Sequence, residues 1–242
     1  MPLYQSITAA GVCGVLVLIT LWIMLRCHHV ATPPCKHIWS GNVYHYPFKA
    51  GDILLSSTAK MVNTFMAKNH WGHVAMIYRQ PITQMLYVWE TQFPVQGYWW
   101  TLTNSLKSKA TRLTPLFRYL YRCKHSLCVR PLSREVDCDR FAEFVQKKWD
   151  VPFDFNFLST GANRIFMDLV NVPVMARTKN SGRFCAELAA ETLAYLGVLN
   201  FQASLDPSLK SECVIPGDFC QQTEHLPWVA GWSLGEEILL FR

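Results

Sequence analysis

Ser181-Gly182-Arg183-Phe184-Cys185-Ala186-Glu187-Leu188-Ala189-Ala190-Glu191-Thr192-Leu193-Ala194-Tyr195-Leu196-Gly197 reads as a helix that begins at a cysteine. Leu188, Thr192, Tyr195 and Leu196 recur at the three- and four-residue spacings of one apolar face, and Gly197 is a natural C-terminal stop. Cys185 therefore falls in the first turn. There, unpaired backbone N–H groups and the positive end of the helix dipole favour a thiolate over a thiol and can support an oxyanion. The plain alternative is a small core residue on an amphipathic helix. A nucleophile needs a base, so the rest of the chain must supply one.

Upstream of that helix the pattern is mostly that of strands. Gly51-Asp52-Ile53-Leu54-Leu55 opens a folded domain as a short strand, and Ser57 to Lys68 reads as a helix turning Met61, Val62, Phe65 and Met66 inward. His70-Trp71-Gly72-His73-Val74-Ala75-Met76-Ile77-Tyr78 reads as a buried strand. A turn at Gln80-Pro81 joins it to a second, Met85 to Trp89, closed by Glu90, so the pair forms a hairpin. Beyond it the signal weakens: a short helix is expected over Leu113 to Arg122 and a strand over Leu127 to Leu132. Asp139 to Trp149 is an amphipathic helix with Asp137 or Asp139 as cap and Phe141, Phe144 and Val145 inside, ended by Pro152. Asn156 to Arg177 carries little pattern beyond one helix near Arg164 to Val170. A last strand runs from Glu237 to Phe241. The fold class is α+β, an antiparallel sheet packed against helices.

The chain is 242 residues long and half hydrophobic, enough for one sizeable core. Its net charge of +6 is spread over mixed-sign segments with no basic stripe, which argues against a nucleic-acid partner and is compatible with anionic membranes. Ile7 to Leu25, ITAAGVCGVLVLITLWIML, carries no charge, and at about 1.5 Å per residue it approaches the thickness of a bilayer core. It reads as a transmembrane anchor. A cleaved signal peptide fits less well, because no Lys or Arg precedes the run and the run is long. Arg26, Lys36 and Lys49 follow it, so the positive-inside rule places the bulk of the protein on the cytosolic side of the membrane. The expected organisation is an anchor over residues 1–30, a Pro/Gly-containing linker over 31–49 and a catalytic domain over 50–242. Of nine cysteines, none forms a tight pair of zinc-site spacing, so with a cytosolic setting they are expected to be mostly free thiols, with no metal and no cofactor. Cys27, beside the membrane, is a candidate for palmitoylation.

Histidine is the ordinary base for a thiol. His28, His29, His37 and His45 fall in the membrane-proximal stretch, and His125 and His225 in loop-like sequence; only His70 and His73 border an apolar strand. A histidine there is often a satisfied core residue. A third group that orients the imidazole would change its meaning, and Glu90, at the end of the paired strand, is the candidate. Taken alone, Glu90 is an ordinary solvated strand-end carboxylate.

The ordered blocks Gly51-Asp52-Ile53-Leu54-Leu55, Gly72-His73-Val74-Ala75-Met76-Ile77-Tyr78, Val88-Trp89-Glu90, Val151-Pro152-Phe153-Asp154-Phe155, Phe184-Cys185-Ala186-Glu187-Leu188 and Pro216-Gly217-Asp218-Phe219 resemble the circularly permuted branch of the papain-like NlpC/P60 superfamily, in particular its YiiX/YaeF-like group. The resemblance spans roughly residues 50 to 220. By position it implies Cys185 as nucleophile, His73 as base and Glu90 as the third member, with histidine before cysteine as a permuted fold requires. Ala186, Gly72 and Ala75 depart from the small residues usual at those places, and none of the three removes a reacting group. His70 is offset by three residues, which in a strand points it to the opposite face.

The expected function is therefore that of a membrane-anchored cysteine hydrolase or acyltransferase acting on an ester, thioester or amide. The permuted branch also resembles lecithin:retinol acyltransferase-like proteins, which implies a lipid or lipidated substrate at the bilayer, and Tyr98-Trp99-Trp100 would suit an apolar substrate or the membrane interface as well as plain core packing. Two rivals stand beside this: a cysteine peptidase or amidase on a peptide or isopeptide bond, and a non-catalytic membrane scaffold with a papain-like shell.

Overall fold

The apolar runs build a two-sided sheet. The computed structural model describes residues 35–57, 71–91, 111–123, 126–149, 151, 184–202, 214–221 and 225–240. The apolar span Ile7 to Leu25, Cys27, the body of the helix expected over Ser57 to Lys68, His70, Tyr98-Trp99-Trp100 and Asn156 to Arg177 lie outside them. Among the described residues no helix is long and apolar enough to cross a membrane.

The fold is α+β. Strands β1 (His37–Trp39), β2 (Ile53–Ser56), β3 (His73–Arg79), β4 (Leu86–Thr91), β5 (Thr111–Pro115), β6 (Leu127–Arg130) and β7 (Ile238–Leu240) form one sheet in the order β1-β7-β6-β2-β3-β4-β5. The three helices among the described residues are α1 (Leu116–Arg122), α2 (Cys138–Lys148) and α3 (Cys185–Tyr195). The expected all-antiparallel sheet needs correction. Five neighbouring pairs are antiparallel, but β1 runs parallel to β7. The stretch read as a linker also does more than connect: its apolar Ile38 and Trp39 lie in the edge strand, and the 3-10 turn Val43–His45, capped by Asn42, buries Val43 against the sheet.

Strand alternation divides the core. Ile53 and Leu55, Val74 and Met76, Trp89 and Cys128 face one side, where Phe141 and Phe144 of α2 and Leu188 and Ala189 of α3 cover them. Leu54, Ala75, Ile77, Val88 and Val129 face the other, under Leu116 and Leu120 of α1. The central strand β2 is buried along its whole length because both layers cover it. Gly51 leads into it with φ +97°, and a side chain there would press on Leu132 and Val136 at 2.9 Å. This is a place only glycine fits.

Two helix boundaries follow from local chemistry. Asp137 caps α2, its carboxylate accepting from the N–H groups of Asp139 and Arg140. The helix expected from Leu113 starts instead at Leu116. Pro115 disfavours the helical region for the residue before it, and the β-branched Thr111 and Thr114 pair with β4 as an edge strand. At the other end of the chain Gly197, φ +73°, closes α3 as its pattern predicts.

Candidate active site

Position in the sheet brings the expected residues together. His73 opens β3, opposite Ser56 of β2. The register that sets Met76 against Trp89 carries Ala75 to Glu90, so His73 and Glu90 are diagonal neighbours on one face. Their side chains meet: His73 Nε2 lies 2.8 Å from Glu90 Oε2. Cys185 approaches from the opposite layer, at the first position of α3, and hydrogen-bonds the same imidazole. With Nε2 committed to Glu90, Nδ1 is the ring nitrogen left for the thiol. The ring bridges the two layers at the end of the sheet.

What docks α3 in that position is partly polar. Trp89 Nε1–H donates to Thr192 Oγ1 (3.3 Å), and the Thr192 hydroxyl donates to the Leu188 carbonyl (2.6 Å) within the helix. Trp89 and Glu90 are adjacent in β4, so one strand places the helix with one side chain and orients the base with the next. The N-cap residue of α3 is Phe184, which offers no side-chain acceptor to the first turn. Backbone donors there serve the sulfur instead: the N–H groups of Ala186 and, from β3, Val74 both bond Cys185.

The charges follow from this arrangement. Burial works against ionising either partner. For His73 it is outweighed by the charge of and hydrogen bond to Cys185, then by Glu90, and the imidazole is raised to about 10. For Cys185 it is outweighed by the charge and hydrogen bond of His73 and by the two backbone N–H groups, which hold the thiol below its ordinary value. Both shifts act in the direction of a thiolate facing an imidazolium.

Glu90 is not the solvated strand-end carboxylate that its sequence position implies; its side chain is 1% exposed. Burial raises its pKa, but His73 and then Arg112 outweigh this and keep it below the usual carboxylate range. Arg112 stands opposite Glu90 in β5 and donates from Nε and Nη2 to Oε1 at 2.8 and 2.7 Å. Tyr119 of α1 completes this side. Burial, then the Glu90 charge, push its phenol well above the ordinary value, and it hydrogen-bonds Ser56. The sequence reading missed Arg112, Tyr119 and Ser56. The β4–β5 register was the signal that would have found Arg112, and it lies in the stretch where sequence pattern is weakest.

The expected free thiols agree with the structure among the described residues, where Cys35, Cys123, Cys128, Cys138, Cys185 and Cys220 are all free. Chemically, the site can carry a charged nucleophile, hold its proton on a neighbouring ring and fix that ring through a buried carboxylate and an arginine. No protein-family model, no curated protein and no solved structure matches this chain.

Proposed function

We propose that this protein is a cysteine hydrolase or acyltransferase of circularly permuted papain-like architecture. Cys185 attacks an acyl carbonyl, and its own backbone N–H, at the start of α3, helps bind the developing oxyanion. The imidazolium of His73 gives its proton to the leaving group as the carbonyl collapses. It then takes a proton from water or from an acceptor alcohol, amine or thiol that releases the acyl chain. Glu90 and Arg112 do not touch the reacting atoms; they hold the ring in register and favour its charged form. One observation carries this reading: Cys185 hydrogen-bonds the His73 imidazole, which is held 2.8 Å from a buried, arginine-paired Glu90.

An acyl-lipid or lipidated substrate is supported by the apolar run Ile7 to Leu25 and by the outer face of α1. There Phe117, Arg118, Tyr121 and Arg122 are exposed side by side, on a helix whose Tyr119 hydrogen-bonds Ser56 and feels the Glu90 charge. Aromatic and arginine side chains so arranged suit an anionic membrane interface. The test is release or transfer of acyl chains from mixed phospholipid vesicles and S-acylated peptides, with peptide amides in parallel. Turnover abolished by Cys185→Ala is the expected result. Turnover of amides alone moves the protein to the peptidases. Iodoacetamide labelling of Cys185 no faster than of the other thiols, and indifferent to His73→Ala, overturns the catalytic reading.

A further inference from the structure

A second cluster of reactive side chains lies at the other flank of the sheet. Cys35 Sγ, Cys128 Sγ and a carboxylate oxygen of Glu237 all lie within 4.8 Å of one another. Cys35 and Cys128 are hydrogen-bonded, and Cys35 Sγ lies 3.5 Å from Glu237 Oε2 across 202 residues of sequence. Glu237 is 2% exposed. Among the described residues its carboxylate is held by Cys35, by Trp71 Nε1–H (3.2 Å) and by the backbone N–H of Gln221 (2.7 Å), none of them a cation. A buried carboxylate without a cationic partner beside two thiols is costly as it stands, and a divalent ion removes the cost.

We infer that Cys35, Cys128 and Glu237 form a zinc site. With legs of about 2.3 Å to sulfur and about 2.0–2.2 Å to oxygen at the tetrahedral angle, a sulfur and an oxygen on one zinc stand about 3.5–3.7 Å apart. The Cys35–Glu237 separation of 3.5 Å meets that. Two thiolates and one carboxylate favour zinc over magnesium or calcium, which take oxygen donors. On binding, both thiols lose their protons to solvent, the Cys35 S–H bond to Glu237 is replaced by bonds to the metal, and no electron changes hands. Cys35 is half-buried, and its exposed side is where a water would complete the fourth position. Trp71 and Gln221 remain on the carboxylate as the outer hydrogen bonds that orient a ligand.

The position gives the site a purpose. Cys35 precedes β1 by two residues, Glu237 immediately precedes β7, and Cys128 lies in β6 opposite Leu239. The ligands thus cross three adjacent strands in the order β1-β7-β6. β1 is a three-residue parallel edge strand, with little hydrogen bonding of its own to hold it. A metal on Cys35 clamps it.

The test uses the full chain carrying Cys185→Ala, so that the catalytic thiol cannot bind metal, stripped with chelator under reducing conditions. Zinc alone is then added, and cobalt in a second sample. The expected result is one zinc per chain, and a cobalt spectrum with thiolate charge-transfer and tetrahedral d–d bands. Cys35→Ser and Glu237→Gln should each weaken zinc binding by more than the roughly 10–100-fold that loss of a supporting partner costs. Cys123→Ser should not change it. In the unsubstituted cluster, zinc should slow alkylation of Cys35 and leave that of half-buried Cys138 unchanged, a measurement that needs no ligand variant to fold. The inference is overturned by less than stoichiometric zinc, by zinc retained undiminished in Cys35→Ser and Glu237→Gln, or by a Cys35–Cys128 disulfide forming while added zinc protects neither thiol.

Discussion

Burial is the largest single influence on Cys185 and on His73, yet their mutual charge and hydrogen bond, helped by Glu90 and by backbone N–H groups, turn both shifts the other way, and this has a consequence for pH dependence. Relative to the unfolded chain, folding favours a proton on the His73 nitrogen over one on the Cys185 sulfur. The raised His73 contributes stability that is complete below 6.5 and is lost as pH rises through about 10. The lowered Cys185 contributes stability that is complete above 9.0 and is lost as pH falls through its depressed value. The stability difference between the protein and Cys185→Ala, from urea unfolding, should therefore decline as pH rises from 9.0 to about 10, where the unfolded thiol has ionised and folded His73 still holds its proton; no decline across that interval contradicts the raised His73. In the labelling experiment, His73→Ala should move the pH midpoint of Cys185 alkylation upward. It should also reduce turnover by about 10²–10⁴-fold, the usual worth of a positioned base. Arg112 acts only through Glu90. Arg112→Gln leaves that buried carboxylate with His73 alone, and the expected cost is about 1–2 kcal/mol, kept small because Arg112 is partly exposed. It should also raise Glu90 and lower His73, shifting the alkylation midpoint upward without abolishing labelling, which a merely structural role would not do.

At the scale of elements, the site depends on how β4 and α3 hold each other. Thr192→Val removes the hydroxyl that accepts from the buried Trp89 indole N–H, an expected loss of about 1–3 kcal/mol. Because that bond seats the helix that carries Cys185, the substitution should slow Cys185 labelling as well. Asp137→Ala provides the contrast. It strips the cap from α2, touches none of the contacts described for Cys185, His73 or Glu90, and should cost about 1 kcal/mol while leaving the alkylation profile of Cys185 in place. The two variants separate loss of stability from loss of alignment. α2 and α3 are themselves joined by Lys148–Glu191 (3.1 Å) and by the tilted rings of Phe144 and Tyr195, whose centroids lie 5.1 Å apart.

For the whole molecule, the edge of the sheet moves the boundary of the folded unit upstream. β1 and Cys35 belong to the sheet that carries His73, although their sequence reads as a spacer. Removal of residues 1–30 should leave the thermal midpoint of the remaining chain unchanged. Removal of residues 1–40 takes away Cys35 and β1, exposes the edge of β7 and leaves Glu237 without one of its donors, so the midpoint should fall and the protein should self-associate through the bared strand. Equal midpoints for the two truncations would restore the linker reading. Zinc should raise the midpoint of the first truncation and not of the second.

The sequence by itself determined the parts whose information is local. The α3 helix, its start at Cys185 and its stop at Gly197 are written in a few adjacent residues, as are the β3–β4 hairpin and the cap on α2. His73, Glu90 and Cys185 were legible because two lie at strand ends of one hairpin and the third at a helix start, where chemistry and position coincide. Tertiary structure alone decided the rest, because it depends on register and on strand order between distant segments. Arg112 meets Glu90 only once β5 is aligned with β4, and Tyr119 joins them only when α1 folds back over that face. The parallel placement of β1 and the meeting of Cys35, Cys128 and Glu237 rest on contacts between strands far apart in the chain, for which no spacing rule exists. Burial then decided what the groups are: the same Glu90 that reads as a solvated carboxylate becomes, inside the sheet, the fixed charge against which His73 is held.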